Sequence, residues 1–368
     1  MTFTDKMILT LALDAMGGDA APEMVIEGAA LAGARHDDIR FVLFGDETRL
    51  KPLITPYGAL KDRCEIRHTS EVVGADDKPS QTVRRGKGTS MWKAIEMVKN
   101  GEAGVAISAG NTGVLMAMSV LQLRTMKDIR RPAIASTWPG PEREKVVLDL
   151  GANLECDEDS LVQFSVMGTA FARVVLNIPK PRLGLLNVGE EEQKGHEYVR
   201  AAATLLRQAA QENMEFIGFV EGTDLGGGSV DVVVTDGFTG NVALKTGEGS
   251  AKLIFHLLGN AFRSSLLSRL AYVLARRAFQ SLRDKLDPRA HNGGVFLGLN
   301  GLVIKSHGGT DGVGFAHAIE TGIEMAKGDL VSRIAQDMKN FEEALKITIE
   351  SESGLPMKPN HGLEAKIR

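Results

Sequence analysis

The chain has 368 residues, 43% hydrophobic and only 5% aromatic, so it can bury a large aliphatic core as one α/β domain or two smaller ones. Its 24% charged content, formal net charge of −4 and pI near 6.1 argue against wholesale binding to nucleic acid, which needs a clearly basic face. The two cysteines, Cys64 and Cys156, lie far apart and outside any CxxC pattern, which argues against a disulfide framework or a thiolate zinc site.

The start of the chain carries no sign of export. Residues 1–10 lack the basic stretch and long apolar run of a secretory signal. No run of about 18 uncharged apolar residues, enough to span a bilayer, occurs in the sequence. A cytoplasmic location is therefore expected.

Short apolar runs rich in Val, Ile and Leu alternate with helical patterns along almost the whole chain. This alternation is typical of a mostly parallel sheet with helices on both faces, a three-layer α/β/α architecture. We expect one large sheet, or two sheets that share a helix layer. The predicted strands are Ile8–Leu13, Arg40–Phe44, Glu65–His68, Val105–Ile107, Ala133–Thr137, Val146–Leu150, Leu183–Leu186, Glu215–Val220, Asp231–Val234 and Leu302–Ile304.

Six of these strands are followed by polar, glycine-rich loops. In open parallel sheets ligands bind beyond the carboxyl ends of the strands, and backbone N–H groups at the helix starts there attract anions such as phosphate. No loop matches the GxxxxGK[ST] or GxGxxG nucleotide patterns. Tight-turn geometry could explain any one loop alone, but six together favour a binding crevice. The loops are Asp14–Asp19, Ser108–Gly113, Gly151–Asn153, Asn187–Gly195, Thr235–Asn241 and Lys305–Gly309.

Two segments interrupt the alternation of strands and helices. Residues 71–90 form a polar loop that contains Arg84, Arg85 and Lys87. Residues 259–288 form a basic helical insertion. We expect a single large catalytic domain over residues 1–350, with that insertion at 259–288, and a loosely ordered tail over residues 351–368.

The polar residues suit an attack by phosphate on a thioester, a reaction that needs no protein nucleophile because the incoming oxygen is already anionic. The enzyme then has to hold the anion, polarise the carbonyl group and stabilise the oxyanion. His307 could protonate the departing thiolate. The candidate catalytic residues are Lys194, Asn241, Lys305, His307 and Asp236. The candidate phosphate- and substrate-binding residues are Asp14, Gly17, Gly18, Ser108, Asn111, Thr112, Asn153, Asn187 and Gly189.

Some of these residues also have a plain structural interpretation. Lys194 follows three glutamates, Glu190 to Glu192, and such a run is often a solvated helix start with ion pairs. Asp14 and Asp236 could simply cap the turns that follow them. The remaining histidines show no metal-ligand spacing, so no metal and no cofactor is predicted.

Read in order, the loops resemble those of the bacterial PlsX family, the acyl-ACP:phosphate transacylases. The resemblance covers roughly residues 7–348 in unbroken order. The strings that carry it include Leu13-Asp-Ala-Met-Gly-Gly-Asp19, Ser108-Ala-Gly-Asn-Thr-Gly113, Leu148-Asp-Leu-Gly-Ala-Asn153, Leu186-Asn-Val-Gly-Glu-Glu-Glu-Gln-Lys-Gly195, Val234-Thr-Asp-Gly-Phe-Thr-Gly-Asn-Val-Ala-Leu-Lys245 and Lys305-Ser-His-Gly308.

The resemblance implies a fold similar to isocitrate and isopropylmalate dehydrogenases and to phosphotransacetylases, assembled as a homodimer. It further implies that the substrates are acyl carrier protein and inorganic phosphate, and that the acyl phosphate passes to a membrane glycerol-3-phosphate acyltransferase of the PlsY type in phospholipid synthesis. One loop departs from the family, because Gly308-Gly309-Thr310-Asp311 stands where small serines are expected.

Three other functions are compatible with parts of the pattern. An acyl-CoA phosphotransacylase would use the same attack, but only a carrier-protein donor calls for a basic docking face, which residues 84–87 or 259–288 could supply. A dehydrogenase should show a nicotinamide site and an acidic metal site, neither of which is evident. A non-catalytic adaptor has no need for converging amides and lysines.

The insertion at 259–288 combines an apolar stripe with an excess of cations. Cations beside such a stripe suit an anionic membrane surface, so a peripheral membrane or partner-facing role is expected. A pair of helices at a dimer interface would show the same pattern. The residues assigned to this surface are Leu266, Leu267, Leu270, Leu274, Arg276 and Arg277.

Overall fold

The computed structural model describes residues 8–209, 211–286 and 293–353, and its centre is a single mixed sheet of eleven strands. The strand order is β3-β2-β1-β4-β11-β10-β5-β6-β9-β7-β8. The strands are β1 (Leu9–Asp14), β2 (Ile39–Gly45), β3 (Cys64–His68), β4 (Val105–Ser108), β5 (Ala133–Trp138), β6 (Lys145–Leu148), β7 (Arg182–Leu186), β8 (Glu215–Val220), β9 (Val232–Val234), β10 (Gly294–Leu297) and β11 (Leu302–Lys305).

Helices cover both faces of the sheet, as the apolar strands predict. Leu11 and Leu13 of β1 face one helix layer, while Ala12 between them faces the other, because successive side chains of a strand point to opposite sides. Burial on both faces explains why the strands are continuous apolar runs. The mostly parallel α/β/α architecture is therefore confirmed.

Twelve helices are described. They are α1 (Glu23–Gly33), α2 (Glu47–Ile54), α3 (Gly58–Lys61), α4 (Pro79–Arg85), α5 (Ser90–Lys99), α6 (Thr112–Leu123), α7 (Glu158–Val175), α8 (Glu197–Gln208), α9 (Gly237–Arg263), α10 (Leu266–Leu286), α11 (Gly312–Lys327) and α12 (Leu330–Ser353). The predicted polar loop at 71–90 thus contains helix α4. Of the predicted tail, residues 351–353 belong to α12, and residues 354–368 lie outside the described residues.

All ten predicted strands are present with small shifts at their ends, but the sequence did not predict β10. This strand is only four residues long and is bounded by glycines at positions 293 and 298, so it resembles a loop. It pairs antiparallel with both β11 and β5. A third antiparallel pairing joins β5 to β6.

These reversals divide the strand ends into two groups. Strands β1, β4 and β11 run parallel to one another, and their carboxyl ends define what we term the β1 end of the sheet. Strands β6, β7 and β9 also run parallel, but in the opposite direction, and their carboxyl ends define the β6 end. The six polar loops are therefore divided between the two ends of the sheet.

Helix α9 connects the two ends. At its start, a Cβ on Gly240 would lie 1.9 Å from the carbonyl oxygen of Asp149, just beyond β6. Two turns later Gly247 lies against the ring of Trp138, which pairs with Lys145 at the amino end of β6. The helix therefore runs across the sheet from the β6 end towards the β1 end.

Helices α9 and α10 form a hairpin, and the predicted insertion is part of it. The hairpin begins at Gly237 rather than at residue 259, directly after β9, and residue 288 lies outside the described residues. Only Gly237 and Gly240 of α9 are buried. Within the part of the chain that the structure describes, no helix is long and apolar enough to cross a membrane.

Candidate functional site

A buried carboxyl group organises the β1 end. Asp14 is 1% exposed and accepts a hydrogen bond from the Ser108 hydroxyl at 2.7 Å and from the Met16 amide at 3.2 Å. Burial raises the pKa of Asp14, while the bond from Ser108 opposes the rise. Ser108 in turn accepts from the Gly110 amide at 3.0 Å. Both predicted binding residues thus shape the two loops from within.

The glycines after β1 let these loops come together. A Cβ on Gly17 would lie 2.5 Å from the Asp14 carboxylate and 2.8 Å from the Gly110 nitrogen. Gly18 has φ +112°, a conformation that favours glycine. The next residue, Asp19, donates its amide to the Gly308 carbonyl at 2.8 Å. The loop after β1 is therefore joined to the loop after β11.

Lys305 places a cation at the β1 end. Its ammonium group donates to the carbonyl oxygens of Ala109, at 3.3 Å, and of Ser306. Burial lowers the pKa of Lys305 to about 8, against the opposing charges of Asp19 and Asp14. Lys305 therefore loses its charge within the pH range in which enzymes commonly work.

Helix α9 brings a polar stripe to the same place. Asn241, Lys245, Glu248 and Lys252 recur at helical spacing and so share one face of the helix. Lys245 pairs with Glu248 at 2.9 Å, and Glu248 lies 3.8 Å from the His307 ring. The stripe therefore extends from the β6 end, at Asn241, to the β1 end, at His307.

His307 lies among cations. Burial lowers its pKa, Glu248 opposes the shift, and the charges of Lys305, Lys245 and Lys252 lower it further. The imidazole is thus mostly neutral at neutral pH, where a general acid would need its proton. This environment weakens the predicted role of His307 as the proton donor and favours a hydrogen-bonding role.

At the β6 end another buried carboxylate, Asp149, organises the loop. It accepts hydrogen bonds from the Ile134, Ala152 and Asn153 amides at 2.9, 3.0 and 2.7 Å. Asn153 donates its side-chain amide to the Pro132 carbonyl at 2.8 Å and to Asp149 at 2.9 Å. With that amide already bonded, Asn153 supports the loop instead of presenting donors to phosphate as predicted.

The loop after β7 holds Lys194 at the surface. Asn187 donates to the carbonyl oxygens of Gly189 and Lys194, at 3.2 and 3.1 Å, and so folds the loop onto itself. The Lys194 stem lies over Gly189, and its ammonium group pairs with Glu191 at 2.8 Å. That bond raises the pKa of Lys194. Lys194 is therefore a charged, half-exposed cation at the β6 end.

Asp236 begins helix α9. It caps the helix by accepting the Thr239 amide at 2.8 Å, and the Tyr198 hydroxyl lies 3.3 Å from it. Burial raises the pKa of Tyr198 to about 12, with Asp236 adding to the rise. The bond from Tyr198 ties the first turn of α8 to the start of α9. Asp236 thus makes the capping contact that the structural interpretation predicts.

The loop after β4 anchors the segment at 71–90. Asn111 caps α6 by accepting the Val114 amide at 3.1 Å, and it donates to the Ala75 and Asp77 carbonyls at 2.7 and 3.2 Å. Thr112, the first residue of α6, is exposed. Asn111 thus holds its neighbouring loop in place, a contact that the sequence did not predict.

Among the residues described, no group of three or more His, Cys, Asp and Glu side chains is placed to hold a metal ion. Burial raises the pKa of both Cys64 and Cys156 to about 12, which makes their thiols poor nucleophiles.

The names of the sequence relatives of this chain state an activity that suits such a site. The family described as fatty acid synthesis protein matches residues 9–333. A phosphate acyltransferase from Parvibaculum lavamentivorans is 57% identical over 90% of this chain and 91% of its own length. One from Rhodospirillum rubrum is 51% identical over 95% and 96%. The chain belongs to the PlsX family of phosphate acyltransferases. It is an acyltransferase, and the family resemblance of its loops is confirmed.

Solved structures share the fold of this acyltransferase. A phosphotransacetylase from Streptococcus pyogenes superposes with a TM-score of 0.59 at 15% identity, over 88% of this chain and 96% of its own. The EutD phosphotransacetylase from Staphylococcus aureus gives 0.56 at 15% identity, over 87% and 94%. At identities this low, the superpositions show a common fold and nothing more specific.

The sequence did not single out Lys245, Glu248 and Lys252 as site residues of this acyltransferase. Their signal was the spacing from Asn241, which places all four on one face of a helix. That face could be assigned to the site only once the direction of α9 across the sheet was known.

Proposed function

We propose that this acyltransferase moves a fatty acyl group from the thioester of acyl carrier protein to inorganic phosphate, giving an acyl phosphate and free carrier protein. The observation that carries the proposal is the 57% identity to a phosphate acyltransferase over nearly the whole chain. The two lysines of the α9 stripe beside the half-buried Lys305 support it, because phosphate is an anion near neutral pH.

In the proposed reaction a phosphate oxygen attacks the thioester carbonyl carbon, and the carbon–sulfur bond then breaks. Lys305 and Lys245 hold the phosphate, which offsets its charge and positions the attacking oxygen. Asn241, one turn before Lys245 on the same face of α9, donates to the carbonyl oxygen as it becomes negative. Lys194 stabilises the same transition state from the loop after β7.

The leaving thiolate takes up a proton. An ammonium group with a pKa of about 8 is close in acidity to a thiol, whose ordinary pKa is about 8.5, so proton transfer between them is nearly balanced. Lys305 therefore supplies this proton better than His307, whose pKa is lowered by burial.

The α9–α10 hairpin is the proposed membrane contact. Leu266, Leu267 and Leu274 are 82%, 78% and 81% exposed, and Leu270 is 57% exposed. Arg276 and Arg277 lie exposed on the same helix. Phe262, Tyr272 and Phe279 pack together and join the two helices, with ring centroids 4.7 to 5.6 Å apart. Such a hairpin fits an anionic membrane surface.

This placement suits a cytoplasmic enzyme bound to the membrane surface. An acyl phosphate is lipid-like and easily hydrolysed, so it is best released next to the membrane glycerol-3-phosphate acyltransferase of phospholipid synthesis that consumes it. We further propose a homodimer, in which the hairpins of two copies would act together.

The donor is tested by supplying purified enzyme with phosphate and either acyl carrier protein thioester or acyl-CoA. Acyl phosphate is trapped with hydroxylamine and the free thiol is counted. We expect phosphate-dependent product with a far higher kcat/KM for the carrier-protein donor. Comparable or better turnover of acyl-CoA would support the acyl-CoA phosphotransacylase instead.

A further inference from the structure

The segment from Lys78 to Gly88 presents an exposed basic surface beside the β1 end of the sheet. It contains four cations, Lys78, Arg84, Arg85 and Lys87, and no carboxylate. All four side chains are exposed. Within residues 8–209, 211–286 and 293–353, none of them pairs with an acidic group. We term this surface the α4 face.

The α4 face is attached directly to the candidate site. Asn111, in the loop after β4, donates to the carbonyl oxygens of Ala75 and Asp77 just before α4. Two residues earlier in the same loop, the Ala109 carbonyl accepts from Lys305 at 3.3 Å. A short run of backbone thus joins the start of α4 to Lys305.

The helix itself packs on the site loop. A Cβ on Gly113, in the first turn of α6, would lie 3.1 Å from Pro79 at the start of α4. Beyond the end of α4, a Cβ on Gly86 would lie 2.4 Å from Met118 of α6. With a rise of about 1.5 Å per residue, the arginines lie roughly 10 Å along α4 from Pro79.

We infer that the α4 face is the docking surface for the acidic carrier protein that delivers the acyl thioester. The inference rests on the proposed function, in which that protein is acyl carrier protein. Unpaired surface cations steer an acidic partner towards the site and fix its orientation, which raises the association rate more than the chemical rate. A carrier docked here would present its thioester at the β1 end.

The composition of the face favours a protein partner over a membrane. Its apolar surface is small. Among the described residues 71–88, Val72 is the only large hydrophobic residue that is strongly exposed, at 46%. Helix α10 differs, with leucines up to 82% exposed that can enter the lipid interface. Charge without an apolar stripe suits a polar, acidic protein surface.

The test is the double charge reversal Arg84→Glu with Arg85→Glu, assayed with acyl carrier protein thioester at roughly 50 mM and 500 mM salt. We expect the KM for the carrier donor to rise about tenfold or more at low salt, with kcat nearly unchanged and a smaller effect at high salt. Turnover of the small donor acyl-pantetheine should not change.

The matched control is Lys61→Glu with Lys99→Glu, which makes the same change in net charge. Both lysines are exposed, and they precede the amino ends of β3 and β4, away from the β1 end. This variant should keep the wild-type KM for the carrier donor. Melting temperatures of both variants check that they fold.

Several outcomes would overturn the inference. An unchanged KM at low salt means that the carrier docks elsewhere, and an equal loss with acyl-pantetheine means that α4 only supports the site. Loss of binding to anionic vesicles with an unchanged KM assigns the face to lipid. Failure of the wild type to use the carrier donor at all would instead contradict the proposed function.

Discussion

Lys194 is the exposed cation at the β6 end whose role a single substitution can test. Replacing it by Ala removes one charged contact from the proposed transition state, so we expect kcat to fall roughly a hundredfold or more. The measurement is steady-state turnover of a variant whose melting temperature matches the wild type. Wild-type turnover would contradict the assignment.

A control for Lys194 is its partner Glu191, which accepts its ammonium group at 2.8 Å. Glu191→Gln frees the lysine without removing it, so most of the activity should remain. If Glu191→Gln loses as much activity as Lys194→Ala, the ion pair serves to shape the loop and Lys194 has no direct role in the reaction.

Lys305 should set the alkaline limit of activity. Its pKa is lowered to about 8 by burial, so the ammonium form is present below that pH and is lost above it. If that charge holds phosphate or supplies the proton for the leaving thiolate, kcat/KM for the acyl thioester should depend on it. Measured at saturating phosphate, this kcat/KM should be flat below about pH 8 and fall about tenfold per pH unit above it.

The substitution Lys305→Arg keeps the positive charge throughout this pH range. It should therefore flatten the fall of kcat/KM at alkaline pH, whatever its effect on the maximal rate. His307→Ala should leave the fall in place, because the pKa of that imidazole is lowered below its ordinary range. An unchanged fall in Lys305→Arg would assign the ionisation to another group.

At the scale of elements, the start of α9 depends on a glycine contact. A Cβ at position 240 would lie 1.9 Å from the backbone oxygen of Asp149, so Gly240→Ala forces the helix away from the loop after β6. We expect a loss of about 1–3 kcal/mol in the free energy of unfolding. Activity should also fall, since Asn241 moves with the helix.

The matched control lies in the same helix. A Cβ on Gly249 would meet no atom within 4 Å, so Gly249→Ala should stabilise α9 by about 0.5–1 kcal/mol through its better helix propensity. Denaturant unfolding of the two variants gives the comparison. Equal stability of both variants would show that the contact at position 240 is not tight.

At the scale of the whole molecule, the α9–α10 hairpin is the proposed membrane contact. The double variant Leu270→Glu with Leu274→Glu places carboxylates on its exposed apolar surface, so co-sedimentation with anionic vesicles should drop several-fold. Ile347→Glu on α12, a residue 67% exposed, places one carboxylate on an exposed apolar site away from the hairpin and should bind vesicles as the wild type does.

Sedimentation velocity of the same variants separates the two interpretations of the hairpin. A double variant that stays dimeric but no longer binds vesicles supports the membrane surface. If it dissociates into monomers, the hairpin is a dimer interface, and if it binds vesicles as well as the wild type, the membrane contact lies elsewhere.

The sequence by itself determined the strands and the polar loops that follow them. Burial on both faces makes each strand a continuous apolar run, and the turn into each helix demands glycine and capping residues such as Asn111 and Asp236. Both signals are local. The short strand β10 escaped prediction because four residues between glycines carry too little pattern.

Only the tertiary structure decided which loops meet. Three antiparallel pairings, β11 with β10, β10 with β5 and β5 with β6, reverse the second half of the sheet, so Lys194 and Lys305 come to opposite ends. Helix α9 then carries Lys245 and Glu248 back to His307. Strand direction depends on pairings between residues far apart in the chain, and a local pattern of apolar and polar residues is the same for either direction.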